Sequence, residues 1–321
     1  MTFERVCVVG AGTIGSLCAA HIAQVAEVSV LVRREEHARA LNENGLRVSG
    51  KSELVSELFA TQDPRELPES DLVIVATKAT QLEKAVAPLS GRFDDAVFMT
   101  IQNGIGAEEL VARHGDWPIV SSVTFMSGTR HSDDHIEYEL DTATWMGPYH
   151  PTETPQGVVE KVGDTFVQAG LNVEVLDDLR PAQWSKLIFN CVVNGVAAIT
   201  DLPHVRLFAR RDSEGDLGHF VWDVMGEGKA VAEAKGIELF EDPWEMNVQA
   251  VSHGQTDYDE YAHVPSMLAD IRSHQPTEVD FILGSLVREA ERAGVDVPLA
   301  LSLYRLVKAR EVAALAGGDG R

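Results

Sequence analysis

Between residues 5 and 125 the chain alternates short, densely apolar runs with stretches whose hydrophobic side chains recur every three or four positions. The runs are Val6 to Val9, Val28 to Val32, Leu72 to Ala76, Ala96 to Ile101 and Ile119 to Val123, each rich in β-branched residues. Near-continuous hydrophobicity marks strands buried on both faces, and helical crossovers between them imply a parallel sheet. Ile136, Tyr138, Leu140, Trp145 and Met146 predict further strands over 133–147, with antiparallel pairing open to them. A helix over Thr154 to Ala169 and a strand-like run from Asn172 to Leu176 close this first domain. Beyond Asp177 and Asp178 the periodicity is helical throughout, so a second, all-helical domain is expected. The boundary falls between residues 1–178 and 179–321, and the polar tail Gly317 to Arg321 is expected to fray.

Within the helical half, Trp184 to Asn194 is apolar nearly all round. Lys186, Asn190 and Asn194 recur at every fourth position and share one face, within roughly 80° of arc. Leu187, Ile188, Phe189, Cys191, Val192 and Val193 cover most of the remainder. A lysine and two carboxamides buried in such a helix cost about 1–3 kcal/mol each when unpaired, and the charge costs more. A bound polar substrate would satisfy them; the plainer alternative is a narrow polar stripe facing water.

Length and charge narrow the function. A chain of 321 residues exceeds one ordinary core. A formal charge of -23 argues against nucleic-acid or anionic-membrane surfaces, which need clustered cations, and makes any Lys or Arg at a pocket position more informative. No signal segment precedes the first strand and no apolar run approaches the roughly 20 residues that span a bilayer, so a soluble, cytoplasmic protein is expected. Cys7, Cys18 and Cys191 form no CxxC pair and read as reduced core thiols.

The candidate chemistry begins directly after the first strand. Gly10-Ala11-Gly12-Thr13-Ile14-Gly15 lies between that strand and a helical pattern, the context a dinucleotide-binding turn requires. Gly10 permits the tight turn, Gly12 lets the backbone approach a pyrophosphate at the helix N-terminus, and Gly15 lets helix pack on strand. The first domain is therefore read as a Rossmann-type, doubly wound α/β sheet. The second strand ends in Arg33 and Arg34, where an NAD-specific site offers an acid to the ribose. Arg33 suits a 2′-phosphate, so NADPH is the expected cofactor, although Glu35 and Glu36 follow closely. Lys78 ends the next strand-like run before a helix near Gln81 to Ala87, a position where a cation opposes the helix dipole and so has another employment, or is simply solvated. Asn103, in Gln102-Asn103-Gly104, could present its amide to nicotinamide or substrate.

Taken together these features resemble the ketopantoate reductase (2-dehydropantoate 2-reductase) family. The likeness runs through the GxGxxG turn, Arg33, Thr77-Lys78, Gln102-Asn103-Gly104, Trp184-x-Lys186-x-x-x-Asn190-x-x-x-Asn194, Ser266-Met267-Leu268-x-Asp270-Ile271 and Thr277-Glu278-x-Asp280. The resemblance implies an NADPH-binding Rossmann domain, a helical domain of the 6-phosphogluconate dehydrogenase C-terminal-like type, and a 2-oxo acid in the cleft between them. It also implies Lys186 as general acid/base, Glu278 as its partner, and Asn190, Asn194 and Ser266 as substrate contacts. An ammonium beside a ketone oxygen would both stabilise the developing alkoxide and supply its proton.

Local sequence offers plainer roles for two of these. Pro276-Thr277-Glu278 could open a helix, with Glu278 serving its first turn, and Ser266 could be a helix cap. Acidic, glycine-free 133–141 and polar 252–263, with Asp257, Tyr258, Asp259 and Glu260, depart from the family and leave the oxo acid open. No metal is expected: His131 and His135 stand four apart in what reads as a turn. His253, His263 and His274 read as loop histidines, and Trp222, Trp244, Met225 and Met246 as packing. Rival functions are a related 3-hydroxy-acid dehydrogenase and a non-catalytic NADPH-binding regulator. A homodimer through the helical domain is compatible with this sequence.

Overall fold

The computed structural model describes residues 2–212, 216–252 and 263–318, so Asp257 to Glu260, His253 and the tail beyond residue 318 lie outside the described residues. The described chain divides into two compact units: one comprises the residues up to Gln102 together with Ala107–Leu179, the other Asn103–Gly106 with the residues from Arg180 onward.

In chain order the first unit contains β1 (Arg5–Val9), α1 (Thr13–Ile22), β2 (Glu27–Leu31), α2 (Glu35–Asn44), β3 (Leu46–Gly50), β4 (Leu54–Ser56), β5 (Phe59–Thr61), β6 (Leu72–Val75), α3 (Leu82–Val86), β7 (Val97–Thr100), α4 (Ala107–Ala112), β8 (Ile119–Thr124), β9 (Ser127–Arg130), β10 (His135–Leu140), β11 (Thr144–Pro148), α5 (Gln156–Gln168) and β12 (Val173–Val175). Eight strands form one sheet in the order β12-β11-β8-β7-β6-β1-β2-β5, parallel except between β8 and β11. The strand order reverses direction beside β1, the switch point at which open α/β sheets bind ligands.

Alternation along β1 explains why its run lacks polar residues. Val6 and Val8 join the cluster beneath Leu17, Cys18 and Ile22 of α1 and Val159, Val162 and Phe166 of α5. Cys7 and Val9 point the other way, among Leu82, Val86, Phe98, Val111 and Trp117. Burial pushes the Cys7 and Cys18 thiols up to about 12.

A second sheet, β4-β3-β10-β9, takes in residues 46–56, for which the sequence pattern predicts no strand. Its strands there are short and only one face is buried: Leu46 and Val48 point inward, Arg47 outward. The acidic segment 133–141 belongs to this sheet as a turn and β10, with Ile136 and Tyr138 buried and Glu139 exposed.

The second unit is helical throughout its described residues: α6 (Arg180–Thr200), α7 (Leu217–Ala234), α8 (Pro243–Ser252), α9 (Ser266–Arg272), α10 (Leu283–Ala293) and α11 (Pro298–Gly318). The other five helices all pack on α6. Trp244, Met225 and Met246 are buried as expected, whereas Trp222 is 36% exposed beneath the Arg211 guanidinium. None of the described helices is long and apolar enough to cross a membrane.

Candidate active site

In the first unit the glycine-rich turn joins β1 to α1. Gly10 has φ +101°, and a Cβ there would lie 2.7 Å from Thr77 Cγ2. A Cβ on Gly15 would fall 1.9 Å from the Gly10 carbonyl and 3.0 Å from Ala76 Cβ, so this glycine seats α1 against the strands. Gly12 differs from both: a Cβ there would meet no protein atom within 4 Å. Packing does not require this glycine, but a group approaching the backbone at the N-terminus of α1 would. Ala11 is buried behind the turn, and Thr13 and Ile14 form the first turn of α1. These features fit a dinucleotide pyrophosphate.

The cations around the turn differ in how they are engaged. Arg34 is bound to Asp133 at 2.6 Å, and Asp133 also holds Arg130. Arg33 is exposed and has no such partner among the described residues. The acidic turn thus engages Arg34 but not Arg33. Glu35 and Glu36 sit in the first turn of α2, where acids complement the helix dipole. Lys78 is exposed at the head of a single 3₁₀ turn, Ala79–Gln81, rather than of a full helix. Gln102 is buried and donates from Nε2 to the carbonyls of Val75 (2.7 Å) and Thr77 (3.0 Å), tying together the ends of neighbouring strands. The sequence motif contains Gln102, but its spacing gives no sign of this role.

In the second unit every residue of α6 from Trp184 to Ala198 is buried, including Lys186 (5% exposed), Asn190 (8%) and Asn194 (5%). A stripe facing water is therefore ruled out. Burial lowers the Lys186 ammonium from its ordinary 10.5 to about 7, and the charge of Glu278 acts in the opposite direction. Asn190 Nδ2 donates to Asn103 Oδ1 at 3.2 Å, bringing the residue after Gln102 onto the stripe. The next residue, Gly104, has φ +94°, and a Cβ there would lie 2.0 Å from the Phe281 carbonyl. That contact packs the Asn103 turn against the segment carrying Glu278.

Two local readings need correction. Pro276 to Glu278 does not open a helix: α10 begins only at Leu283, and Glu278 sits in a preceding turn whose carbonyl accepts from the Phe281 and Ile282 N–H groups. Ser266 is the first residue of α9 rather than its cap. The capping acceptor comes from another helix: Asn194 Oδ1 accepts from the Met267 N–H at 3.1 Å and the Ser266 hydroxyl at 3.3 Å. Sequence reasoning also missed the buried pair His204 and Asn247, joined at 2.8 Å beside Phe189, because its members are far apart in the chain. His131 and His135 face Glu137 and Ser49 respectively.

Comparison with known proteins supports one family throughout the chain. The family model described as ketopantoate reductase PanE/ApbA matches residues 6–151, and its C-terminal counterpart matches residues 178–311. A 2-dehydropantoate 2-reductase from Pyrococcus horikoshii is 32% identical over 319 residues, covering 98% of this chain and 99% of that protein. Among solved structures, a PanE/ApbA family ketopantoate reductase from Ralstonia eutropha JMP134 has a TM-score of 0.83 at 25% identity, covering 97% of this chain and 99% of its own. A D-mandelate dehydrogenase solved with NADH has a TM-score of 0.81 at 25% identity, covering 97% and 100%.

The buried lysine carries a stability cost that can be measured. The unfolded chain keeps this proton up to about pH 10, whereas the folded chain loses it near 7, so the cost grows as pH falls from about 10 to 7. Lys186→Met is expected to stabilise the fold by on the order of 4 kcal/mol at pH 7 and by much less at pH 10. Thermal unfolding at the two pH values checks this; equal midpoints for variant and parent at pH 7 would show that the ammonium is not a burden.

Proposed function

The chain belongs to the ketopantoate reductase family, and from that premise we propose that it reduces a short branched 2-oxo acid, ketopantoate or a close analogue, to the 2-hydroxy acid with NADPH. One observation carries the reading: a buried stripe of one lysine and two carboxamides, with the lysine near neutrality. A group poised there can both hold and release a proton at the pH of the cell interior.

Gly10, Ala11, Gly12, Thr13, Ile14 and Gly15 would hold the cofactor pyrophosphate, Arg33 the 2′-phosphate, with Lys78 and Asn103 as further contacts. Bound there, the reduced nicotinamide supplies a hydride. Lys186 stabilises the negative charge that develops on the substrate ketone oxygen and donates the proton that completes the alcohol. Glu278 favours the protonated lysine before the reaction. Asn190 and Asn194 offer amide groups to the substrate carboxylate and hydroxyl without adding charge, and Ser266 adds a hydroxyl. The apolar sides of α6 exclude bulk water, which strengthens each of these interactions.

A second reading, a dehydrogenase for another hydroxy acid, draws on the likeness to D-mandelate dehydrogenase. Oxidation of NADPH with ketopantoate beside a panel of other 2-oxo and 3-oxo acids separates the two. Selective turnover of ketopantoate is expected, and activity confined to another acid would favour the second reading. In the same assay Lys186→Ala is expected to lower turnover by roughly 10²- to 10⁴-fold while cofactor binding persists.

The proton inventory fixes the pH dependence. Reduction needs the ammonium, so kcat/KM for the oxo acid should decline as pH rises through about 7, and the reverse oxidation should gain over the same interval. Glu278→Gln removes the charge that favours the ammonium and should move the midpoint to lower pH. A profile that stays in place would dissociate Glu278 from the lysine.

Cofactor choice is tested at Arg33. Arg33→Ala should raise KM for NADPH by at least tenfold and leave that for NADH nearly unchanged, as expected for about 1.5–3 kcal/mol from a charge-assisted phosphate contact. Equal losses for the two cofactors would refute the assignment.

A further inference from the structure

The turn that carries Glu278 belongs to no helix or strand, and its ties lead mainly to the last helix. Thr277 is buried, and both its backbone N–H and its hydroxyl donate to Glu311 Oε1 of α11, each at 2.7 Å. Its hydroxyl oxygen accepts in turn from the Val279 N–H at 3.3 Å. Two residues beyond Glu278, the Asp280 carboxylate accepts from the Tyr304 hydroxyl at 2.6 Å and from Lys308 Nζ at 2.9 Å. The Asp280 carbonyl accepts from Arg288 of α10 at 3.0 Å. Lys308 also donates to Glu311 Oε2 at 3.0 Å, so one ammonium bridges the two carboxylates that grip the chain on either side of Glu278.

These contacts are unequal. Lys308 and Asp280 are 36% and 46% exposed, a setting in which an ion pair contributes little by itself. The Glu311 side chain is only 9% exposed, and a buried carboxylate that accepts two bonds from one residue is strong and directional. Among the described residues, the charged and titratable groups tied to the turn by these contacts are Arg288 on α10 and Tyr304, Lys308 and Glu311 on α11, with Lys186 on α6 feeling the Glu278 charge.

We propose that Thr277, Asp280, Lys308 and Glu311 form a positioning network through which the C-terminal helix holds the Glu278 carboxylate toward Lys186 and so sets the strength of the general acid. The proposal rests on the reading of Lys186 given above. None of the four residues is placed against substrate; each acts through Glu278.

Thr277→Val removes the hydroxyl tether without changing any charge, so it reaches Lys186 through geometry alone. The readout is the titration of the Lys186 Cε resonance in full-length enzyme carrying ¹³C-labelled lysine, assigned by its absence from Lys186→Met. Its midpoint is expected to fall by roughly one pH unit in Thr277→Val, as when a carboxylate partner is withdrawn, and to stay at the parental value in Thr277→Ser. Lys308→Met tests the sign. Through space, loss of a neighbouring cation would raise the Lys186 midpoint, whereas release of Glu278 lowers it.

A fall in folded Thr277→Val and Lys308→Met supports the network, and an unchanged or raised midpoint in either overturns it. Should Thr277→Val fail to fold, Lys308→Met decides alone. Because the resonance is read without turnover, a catalytically dispensable Lys186 would defeat the assigned acid role without obscuring whether α11 controls its titration.

Discussion

Lys186 carries its ammonium into a helix buried from Trp184 to Ala198, and the helical unit is built around the cost of placing it there. Sealing α6 requires neighbours to approach closely, and small residues permit it. A Cβ on Gly195 would lie 2.8 Å from Leu283 and 2.9 Å from Leu303, and one on Gly228 would lie 2.9 Å from Ile188. That enclosure draws the lysine down to about 7, and Glu278 keeps it from falling further. The two influences oppose each other: enclosure disfavours the ammonium, and the carboxylate favours it. The proton affinity of Lys186 is therefore a property of the whole packing arrangement, not of the lysine alone.

The glycine-rich turn of the first unit separates structural from functional demands in the same way. Gly10 and Gly15 are required by protein atoms, since a side chain at either would collide with the β1, β6 and α1 surroundings. Gly12 is required by nothing in the protein. A chain of formal charge -23 repels phosphate at long range, so local arrangement must supply what composition withholds. Asp133 contributes by occupying Arg34 and Arg130, whereas Arg33, exposed like Arg34, has no such partner among the described residues. The acidic departure at 133–141 is thereby accounted for by the fold: it anchors β10 and α2.

What could be read in advance follows from the range of the interactions. The buried strands β1, β2, β6, β7 and β8 announced themselves because both faces are apolar, and the stripe on α6 because helical spacing places Lys186, Asn190 and Asn194 together. The short strands β3, β4 and β5 gave too few residues for a period; β3 and β4 enter a sheet with only one face buried, and β5 adds a three-residue edge to the large sheet. Pro276-Thr277-Glu278 read as a helix start because the local signals are those of a first turn. A carboxylate 34 residues away, Glu311, instead takes the Thr277 donors and leaves the segment as a turn. Local spacing carries no trace of such a partner.

The polar stripe also divides its labour. Asn194 has committed its carbonyl oxygen to the start of α9, and Asn190 has committed its amide nitrogen to Asn103. Each carboxamide therefore uses one end to hold a neighbouring segment, and on the proposed reading the other end would meet the substrate. Changing either residue to alter substrate choice would loosen the segment it anchors, because a buried donor or acceptor would lose its partner. Side chains with such double duty are poorly placed to distinguish one oxo acid from another. On the proposed reading, discrimination among acids of different bulk would come from positions that shape the space around the stripe without supporting it, while the stripe would supply the chemistry that those acids share.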